Sequence, residues 1–347
     1  MAESAESSKD YFVTTVAEDH NITCWGCGLR LLLPSYAPVF KCGWCGAITN
    51  QNVNKPENKW LWGRRMRDRC FVIILLTFIL FVICGGVWAV YPVVFSISYT
   101  LGIVHSILTV ILAAATVSTF CLSSFRCAGT PPTVFWGSYP VVGKGDLDNY
   151  TFCHHCSKPK SPRAHHCNSC RTCVLDMDHH CPFIGNCVGA SNHRHFIAFL
   201  FAAIFSTVYV SIMSTYAGLH IWPPVKYRSI GHLNGFSSHI ATTKAFKEVI
   251  IAFASSSVQL SARGLVLVYL FISSVSLQIG LGVLLWQQLS YIYEGKTYVG
   301  HLSSQASGGG DHIEEKDCQN ILRFFGCPYS ISRYFPGLRN SPKRHTK

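Results

Sequence analysis

Four long apolar runs constrain the fold of this chain more than any other feature of its sequence. They contain no Asp, Glu, Lys or Arg, and each is long enough for the roughly 20 residues that a helix needs to cross a bilayer. We predict a membrane all-α fold with transmembrane helices over residues 70–94, 97–123, 196–219 and 264–286. Buried helices of a large soluble core are the weaker alternative, because polar segments separate the runs and only 13% of the chain is charged.

The flanking charges predict how the chain crosses the membrane. Arg64, Arg65, Arg67 and Arg69 directly precede the first run, and basic residues favour the cytosolic side. Four crossings then return the chain to the cytosol. We therefore predict a cytosolic loop over residues 126–195, a luminal or extracellular loop over 220–263 and a cytosolic tail over 287–347. Lys226, Arg228, Lys244 and Lys247 in the third loop oppose this assignment, but the arginine cluster is the stronger signal.

The remaining features of composition narrow the class of protein. Residues 1–20 are polar, which predicts a disordered N-terminus without a secretory signal peptide. The net charge of +12 is interpreted as topology and attraction to anionic lipid, with no nucleic acid partner. We expect a multi-pass integral membrane protein of the endomembrane system or plasma membrane, with both termini cytosolic.

Residues 21–58 predict a small zinc ribbon. The segment has two CxxC knuckles separated by fourteen residues, and each knuckle can supply two ligands of a tetrahedron. The ligands would be Cys24, Cys27, Cys42 and Cys45. A redox or disulfide pair is the alternative. The pattern resembles a zinc ribbon of some plant regulatory proteins, and no catalytic group stands beside it, so we expect a structural or partner-binding role.

The predicted cytosolic loop 126–195 is rich in cysteine and histidine. Its segment from Cys153 to Cys187 holds seven of the seventeen cysteines. Two tetrahedral zinc ions need eight ligands, and the segment offers more than eight. Some of these side chains must therefore have another role.

The run Asp178-His179-His180-Cys181 predicts that role. A thiol with a pKa of about 8.5 is mostly protonated at neutral pH, and a neighbouring imidazole can take its proton. A carboxylate can hold that imidazole in one tautomer. Spacing alone does not say which of the two histidines acts as the base.

The same segment resembles the signature of the DHHC protein S-acyltransferases, or palmitoyltransferases, at every ligand position. The resemblance implies one zinc site made by Cys153, Cys156, His166 and Cys173, and a second made by Cys167, Cys170, His180 and Cys187. It also implies Cys181 as the nucleophile, His179 as the base and Asp178 as the carboxylate that orients it. His165 is left outside the ligand sets.

Three segments near the spans only approximate the family pattern. Ala128–Pro132 stands where the family usually has Asp-Pro-Gly, and Tyr291–Glu294 is the nearest match to Thr-Thr-x-Glu, keeping only the acid. Asn320–Gly326 resembles the family's carboxyl-terminal Asn…Phe-Gly motif. After the nucleophile, Phe183 stands where Trp is common.

The resemblance implies transfer of a long-chain acyl group, such as palmitoyl, from acyl-CoA to Cys181 and then to a cysteine of a membrane-associated protein. Zinc would be the cofactor, with two ions in the cysteine-rich domain and a third in the ribbon. Acyl-CoA would be the co-substrate, and the bilayer and membrane-associated proteins the partners. An inactive zinc-binding membrane scaffold is the alternative. A channel is disfavoured, because the spans carry no charged residue to mark an ion path.

Overall fold

The computed structural model describes residues 20–33, 39–50, 61–131, 150–153, 155–156, 158–224, 238–306 and 318–326. These residues form two compact units. The ribbon unit comprises the described residues of Met1–Lys59 and Thr130–Leu175, and the bundle unit comprises those of Trp60–Gly129 and Asp176–Lys347. Two boundaries, after Gly129 and after Leu175, therefore fall inside the segment 126–195 that the sequence predicts as one domain. The predicted disordered N-terminus lies outside the described residues, except for His20.

Short antiparallel hairpins build the described part of the ribbon unit. They pair β1 with β2, β3 with β4, β5 with β6 and β7 with β8. A two-stranded hairpin is marginal alone, so this unit needs further cross-links. Its strands are β1 (His20–Thr23), β2 (Arg30–Leu33), β3 (Val39–Lys41), β4 (Ile48–Asn50), β5 (Thr151–Cys153), β6 (Lys158–Lys160), β7 (Ala164–Cys167) and β8 (Thr172–Leu175).

The two knuckles of the ribbon fold alike because each ends on a glycine. The Gly28 N–H donates to the Cys24 carbonyl and the Gly46 N–H to the Cys42 carbonyl, both at 2.9 Å. Both glycines are left-handed, with φ of 74° and 78°, a conformation that other residues adopt at a cost. The sequence thus sets the same turn twice.

Long helices build the bundle unit. Within the described residues, four of them are long and apolar enough to cross a membrane, which confirms the predicted membrane all-α fold. The cysteine-rich segment lies between the second and third in sequence. These helices are α1 (Leu61–Ile97), α2 (Tyr99–Phe125), α3 (His193–Ile221) and α5 (Ala262–Tyr293).

Further helices lie in the segments predicted as loop and tail. Helix α4 (Ser238–Ser257) occupies the loop 220–263, for which we predicted no helix. Its Phe253 ring stacks on Trp222, with 4.7 Å between centroids. Helices α6 (Tyr298–Ala306) and α7 (Cys318–Phe325) lie in the tail.

A small hairpin of the bundle unit carries the predicted catalytic residues. Strand β9 (His179–Cys181) pairs with β10 (Asn186–Val188), and a 3₁₀ turn over Pro182–Ile184 connects them. Ile184 and Val188 are buried among residues of the spanning helices, including Phe120 and Phe196. This apolar burial fixes the hairpin to the helices.

Polar contacts hold the hairpin against the end of α2. The last carbonyl groups of a helix lack partners within it. The Asn186 side chain donates to the carbonyls of Ser123, Ser124 and Arg126 at 2.7–3.3 Å, and the Asn192 side chain donates to that of Ser123 at 3.2 Å. These two asparagines therefore cap α2 with the site segment.

Gly185 permits the close approach of the 3₁₀ turn to α1. Its φ is 59°, and a Cβ atom there would lie 2.8 Å from Val72 Cγ2 and 3.3 Å from the Asp68 carbonyl oxygen. A larger residue would be strained and would push the hairpin away from the helix.

Candidate active site and metal centres

The two adjacent histidines of the predicted motif lie on opposite faces of β9, because successive side chains of a strand alternate. His180 pairs with Cys187 across the hairpin, and its Nδ1 lies 3.6 Å from the Cys187 sulfur. His179 shares its face with Cys181. The backbone thus separates two roles that spacing alone leaves open.

Asp178, His179 and Cys181 form a hydrogen-bonded chain. Asp178 is fully buried, and its Oδ2 accepts a hydrogen bond from His179 Nδ1 at 2.7 Å. The His179 side chain also forms a hydrogen bond with the Cys181 side chain. Since Nδ1 is bonded to Asp178, the His179 atom left for this bond is Nε2. The Phe196 ring packs against the imidazole with its edge, at 5.5 Å between centroids. This is the order of groups that activates a thiol nucleophile.

The surroundings of Asp178 and His179 favour the charged forms of both side chains. Burial alone would lower the pKa of His179, but its bonds to Asp178 and Cys181 raise that pKa to about 9. Burial alone would raise the pKa of Asp178. The hydrogen bond from His179, the nearby His193 ring and further hydrogen bonds hold that pKa below the ordinary value. Asp178 therefore stays a carboxylate and stabilises the imidazolium that forms when His179 takes the proton of the thiol.

Two groups that the sequence analysis missed complete the bonding of Asp178. The Gln288 side chain of α5 donates to Oδ2 at 2.9 Å, and the Tyr298 backbone N–H, at the start of α6, donates to Oδ1 at 2.7 Å. His193 Nε2 in turn donates to the Gln288 amide oxygen at 2.9 Å. The carboxylate is thus anchored to α5 and α6, far along the chain.

The segments that only approximate the family pattern lie near this network. Glu294 of the proposed Thr-Thr-x-Glu counterpart lies 3.7 Å from His301, and it is Tyr298 that reaches Asp178. Asn320 of α7 donates to the Tyr293 carbonyl at 3.0 Å. The Phe324 ring lies 4.9 Å from that of His193. Ala128 accepts a backbone hydrogen bond from Ser191 at 3.0 Å.

A cavity of about 450 Å³ opens beside Cys181 among the spanning helices. It runs along α3 from Phe196 to Tyr209, about 20 Å at 1.5 Å per residue. Apolar side chains such as Leu75, Phe199 and Leu281 line most of it. Toward Tyr209 the lining becomes polar. There the Tyr91 hydroxyl donates a hydrogen bond to the Thr109 hydroxyl at 2.6 Å. The site can hold an extended apolar group next to the thiol.

Three groups of four cysteine and histidine side chains in the described residues could each hold a metal ion. They match the three ligand sets that the sequence and the resemblance predict, and His165 belongs to none of them. The groups are Cys24, Cys27, Cys42 and Cys45; Cys153, Cys156, His166 and Cys173; and Cys167, Cys170, His180 and Cys187.

The ribbon group fits a tetrahedral zinc ion. Ligand atoms around such an ion, with Zn–S bonds of about 2.3 Å, lie about 3.8 Å apart. The sulfurs of Cys24 and Cys45 lie 3.6 Å apart, and those of Cys27 and Cys42 lie 3.8 Å apart. These distances are too long for disulfides, which need about 2.05 Å. The disulfide alternative is therefore wrong for this structure.

The second group fits as well. His166 Nδ1 lies 3.5 Å from the Cys153 sulfur, 3.3 Å from that of Cys156 and 3.9 Å from that of Cys173. The other ring nitrogen, Nε2, is buried without a hydrogen-bond partner in the described residues. The imidazole is thus oriented by the sulfurs, as a metal-binding histidine would be.

Two pairs of residues in the third group have contacts of their own. The Cys170 N–H donates to the Cys167 sulfur at 3.3 Å. His180 Nδ1 lies beside the Cys187 sulfur, while Nε2 donates to Asp68 at 3.0 Å. A carboxylate that accepts from the second nitrogen of a histidine is typical of zinc ligands. Asp68, which α1 supplies, is a further residue that the sequence analysis missed.

The comparison with known proteins agrees with this geometry. Residues 146–305 match the family model of the DHHC palmitoyltransferases. The matched segment, called the DHHC domain below, covers 160 of the 347 residues. It contains Asp178, His179, Cys181, Gln288 and Tyr298, whereas Asp68 and the ribbon precede it.

Curated relatives are similar over part of the chain. The chain is 39% identical over 98 residues to Palmitoyltransferase ZDHHC16A of Danio rerio, which covers 28% of the chain and 23% of the relative. It is 31% identical over 185 residues to Palmitoyltransferase pfa3 of Aspergillus fumigatus, covering 48% and 34%. It is 42% identical over 71 residues to Probable protein S-acyltransferase 13 of Arabidopsis thaliana, covering 20% and 24%. The matches thus span about a quarter to a third of these relatives.

Proposed function

We propose that this protein is a protein S-acyltransferase that moves a long-chain acyl group, such as palmitoyl, from acyl-CoA to Cys181 and then to a cysteine of a membrane-associated protein. The observation that carries the proposal is the position of Cys181. This buried thiol is bonded to His179 and also lines the apolar cavity between the spanning helices. Nucleophile, base and a space for an acyl chain therefore meet at one sulfur atom.

In the first step, His179 takes the proton of Cys181 and the thiolate attacks the carbonyl carbon of acyl-CoA. A bond forms between that carbon and the Cys181 sulfur, and the bond to the CoA sulfur breaks. His179 returns the proton to the departing CoA thiolate. Asp178 keeps Nδ1 of His179 protonated, so that Nε2 is free to accept and return the proton.

In the second step, a thiol of the acceptor protein gives its proton to His179 and attacks the Cys181 thioester. The new thioester forms on the acceptor, and the Cys181 thiolate regains the proton. Burying each methylene contributes about 0.8 kcal/mol. The apolar cavity thus keeps the acyl chain out of water between the two steps.

The proposed metal is zinc, bound by the twelve side chains of the three groups. Zinc cross-links its ligands into one rigid site when bound. The residues of this chain then act by position: His180 is held by Asp68, and its neighbour His179 is left facing Cys181. Of the two adjacent histidines, His180 would bind metal and His179 would take part in the chemistry.

The proposed orientation places both termini and the cysteine-rich segment 126–195 in the cytosol of an endomembrane or plasma membrane protein. The arginines that precede α1 support it through the positive-inside tendency. Free zinc-binding thiolates are also compatible with a reducing compartment.

A two-stage labelling experiment tests the function. Purified protein is incubated with a labelled acyl-CoA, freed of the remaining acyl-CoA, and then given a membrane-anchored peptide with one cysteine. We expect a hydroxylamine-sensitive label on the protein that moves to the peptide, and no label on Cys181→Ser. Cys127→Ser, which removes an exposed cysteine of the same unit, is the matched control and should keep both stages. Persistence of the label in Cys181→Ser would favour the inactive scaffold.

A further inference from the structure

The ribbon shares its apolar core with the strand that carries the first ligand of the Cys153 group. Tyr150 and Phe152 pack against the buried ribbon residues, which include Cys24, Trp25 and Cys45. The Trp25 and Phe152 rings lie 6.1 Å apart. Both segments belong to the ribbon unit, although about a hundred residues separate them in sequence. The ribbon is therefore packed against the cysteine-rich segment.

Hydrogen bonds join the same segments. The Ile48 backbone N–H of β4 donates to the Tyr150 carbonyl at 2.6 Å. The Trp25 indole N–H donates to the Ile48 carbonyl at 3.2 Å. The backbone of one residue of β4, Ile48, thus connects a knuckle of the ribbon to the beginning of β5.

The alternation of side chains along β5 gives this packing a consequence. Tyr150 and Phe152 are two residues apart and face the ribbon, whereas Thr151 and Cys153 face the other side of the strand. Cys153 is buried there and belongs to the group that it forms with Cys156, His166 and Cys173. The strand is therefore held on one face by the ribbon and supplies a ligand from the other.

We propose that the ribbon is a structural part of the Cys153 zinc site. Its own zinc orders the core around Trp25, this core holds β5, and β5 keeps Cys153 within reach of the other ligands. A two-stranded hairpin such as β5–β6 is marginal alone, so loss of the ribbon should loosen this ligand first. The inference does not depend on the proposed acyl transfer.

Residue-resolved alkylation of full-length protein in detergent tests this coupling. N-Ethylmaleimide is added for increasing times, and peptide mass spectrometry follows modification of Cys153, Cys156 and Cys187, while metal analysis gives the zinc content. We expect Cys24→Ser/Cys27→Ser to lose about one zinc and to expose Cys153 and Cys156 to modification about tenfold faster, as when an outer-shell partner of a metal site is lost. Cys187, in the bundle unit, should keep its protection.

Two tryptophan variants separate packing from metal binding. Trp25→Ala removes the contact with Phe152 without touching a ligand and should accelerate modification of Cys153 several-fold, whereas Trp25→Phe should restore most of the protection. Trp44→Ala, in the second knuckle and 49% exposed, is the matched control and should behave as the unchanged protein.

The proposal is overturned if the double cysteine variant loses the ribbon zinc and Cys153 stays protected. It is equally overturned if that variant keeps all of the zinc, or if Cys187 loses protection together with Cys153. The last result would indicate general unfolding.

Discussion

The ribbon unit and the bundle unit hold their chemical groups by different means. In the ribbon unit, short hairpins carry cysteines that converge on each other, and the small core consists largely of those cysteines. In the bundle unit, Asp178 lies in a scaffold of long helices. Three donors bond to its carboxylate, and two of them come from distant segments of the chain. The first arrangement needs a metal to become rigid, whereas the second is already rigid by packing and hydrogen bonds.

The comparison teaches why a short cysteine-rich segment can position a triad. A segment without a large core cannot hold a base and a nucleophile to within a fraction of an ångström. Here the hairpin that carries His179 and Cys181 is fastened to the spanning helices through Ile184, Val188 and Asn186. The metal sites therefore have only to order the segment around it.

The largest effect is expected for a substitution of Asp178 in the bundle unit. Asp178→Asn keeps the size of the side chain but removes the charge that keeps His179 oriented and protonated at Nδ1. We expect the rate of Cys181 acylation to fall by about a thousandfold, within the range for loss of positioned acid–base catalysis. Single-turnover labelling measures this rate, with zinc content as a check on folding.

Asp176→Asn is the matched control for that experiment. Asp176 has φ of 47°, and asparagine tolerates this left-handed conformation. A control rate within about twofold of the unchanged protein is expected, because the substitution keeps the size of a side chain that lies outside the Asp178–His179–Cys181 chain of hydrogen bonds. An equal loss in both variants would contradict a special role for Asp178.

A smaller effect is expected at Asp68, which accepts a hydrogen bond from His180. Asp68→Ala removes the acceptor of His180 Nε2–H and should weaken zinc binding by the third group by about ten- to a hundredfold. Asp68→Asn retains an oxygen acceptor and should lie between the two. Competition with a chromogenic chelator measures the affinity. Equal zinc retention by all three proteins would show that His180 does not depend on this carboxylate.

The smallest effect is expected at Gln288, a positioning residue behind the triad. Gln288→Leu leaves Asp178 with one donor fewer and His193 without its acceptor, at a cost of about 1–3 kcal/mol. We expect the acylation rate constant to fall about tenfold while the KM for acyl-CoA stays unchanged. Gln287→Leu is the matched control, since Gln287 bonds to Tyr291 on the exposed side of the helix. A rise in KM alone would instead indicate a role in substrate binding.

Much of the site could be predicted because its chemistry is local in sequence. Asp178, His179 and Cys181 are near neighbours, so a short motif suffices to identify them. The four spanning helices follow equally from runs without charge. The alternation of β9 then explains physically why His179 and His180 face different partners, which spacing alone does not decide.

The missing parts have no local signature. Gln288 and Asp178 are 110 residues apart, and Tyr298 contributes a backbone N–H that any residue except proline has. Asp68 stands among the arginines that precede the first span, where it reads as one more flanking charge. Only tertiary packing brings these groups to the hairpin.

Helix α4 is a different case, because a signal was present. Phe246, Ile250 and Phe253 recur at helical spacing in the predicted loop, which is the pattern of an amphipathic helix. A search for charge-free runs passes over it, since Lys244, Lys247 and Glu248 interrupt the segment. Periodicity would have identified this helix where composition did not.

Mapping of the acyl group after incubation with a long-chain acyl-CoA tests directly whether Cys181 is the nucleophile and whether Asp178 supports its reaction. Peptide mass spectrometry of the full-length protein, quenched early and compared with and without hydroxylamine, reports which cysteine carries the thioester. We predict a hydroxylamine-sensitive acyl group on the peptide containing Cys181. The same peptide of Asp178→Asn should carry no acyl group at the same early time. An acyl group found on another cysteine and not on Cys181, or acylation of Cys181 that proceeds equally fast in Asp178→Asn, would contradict this prediction.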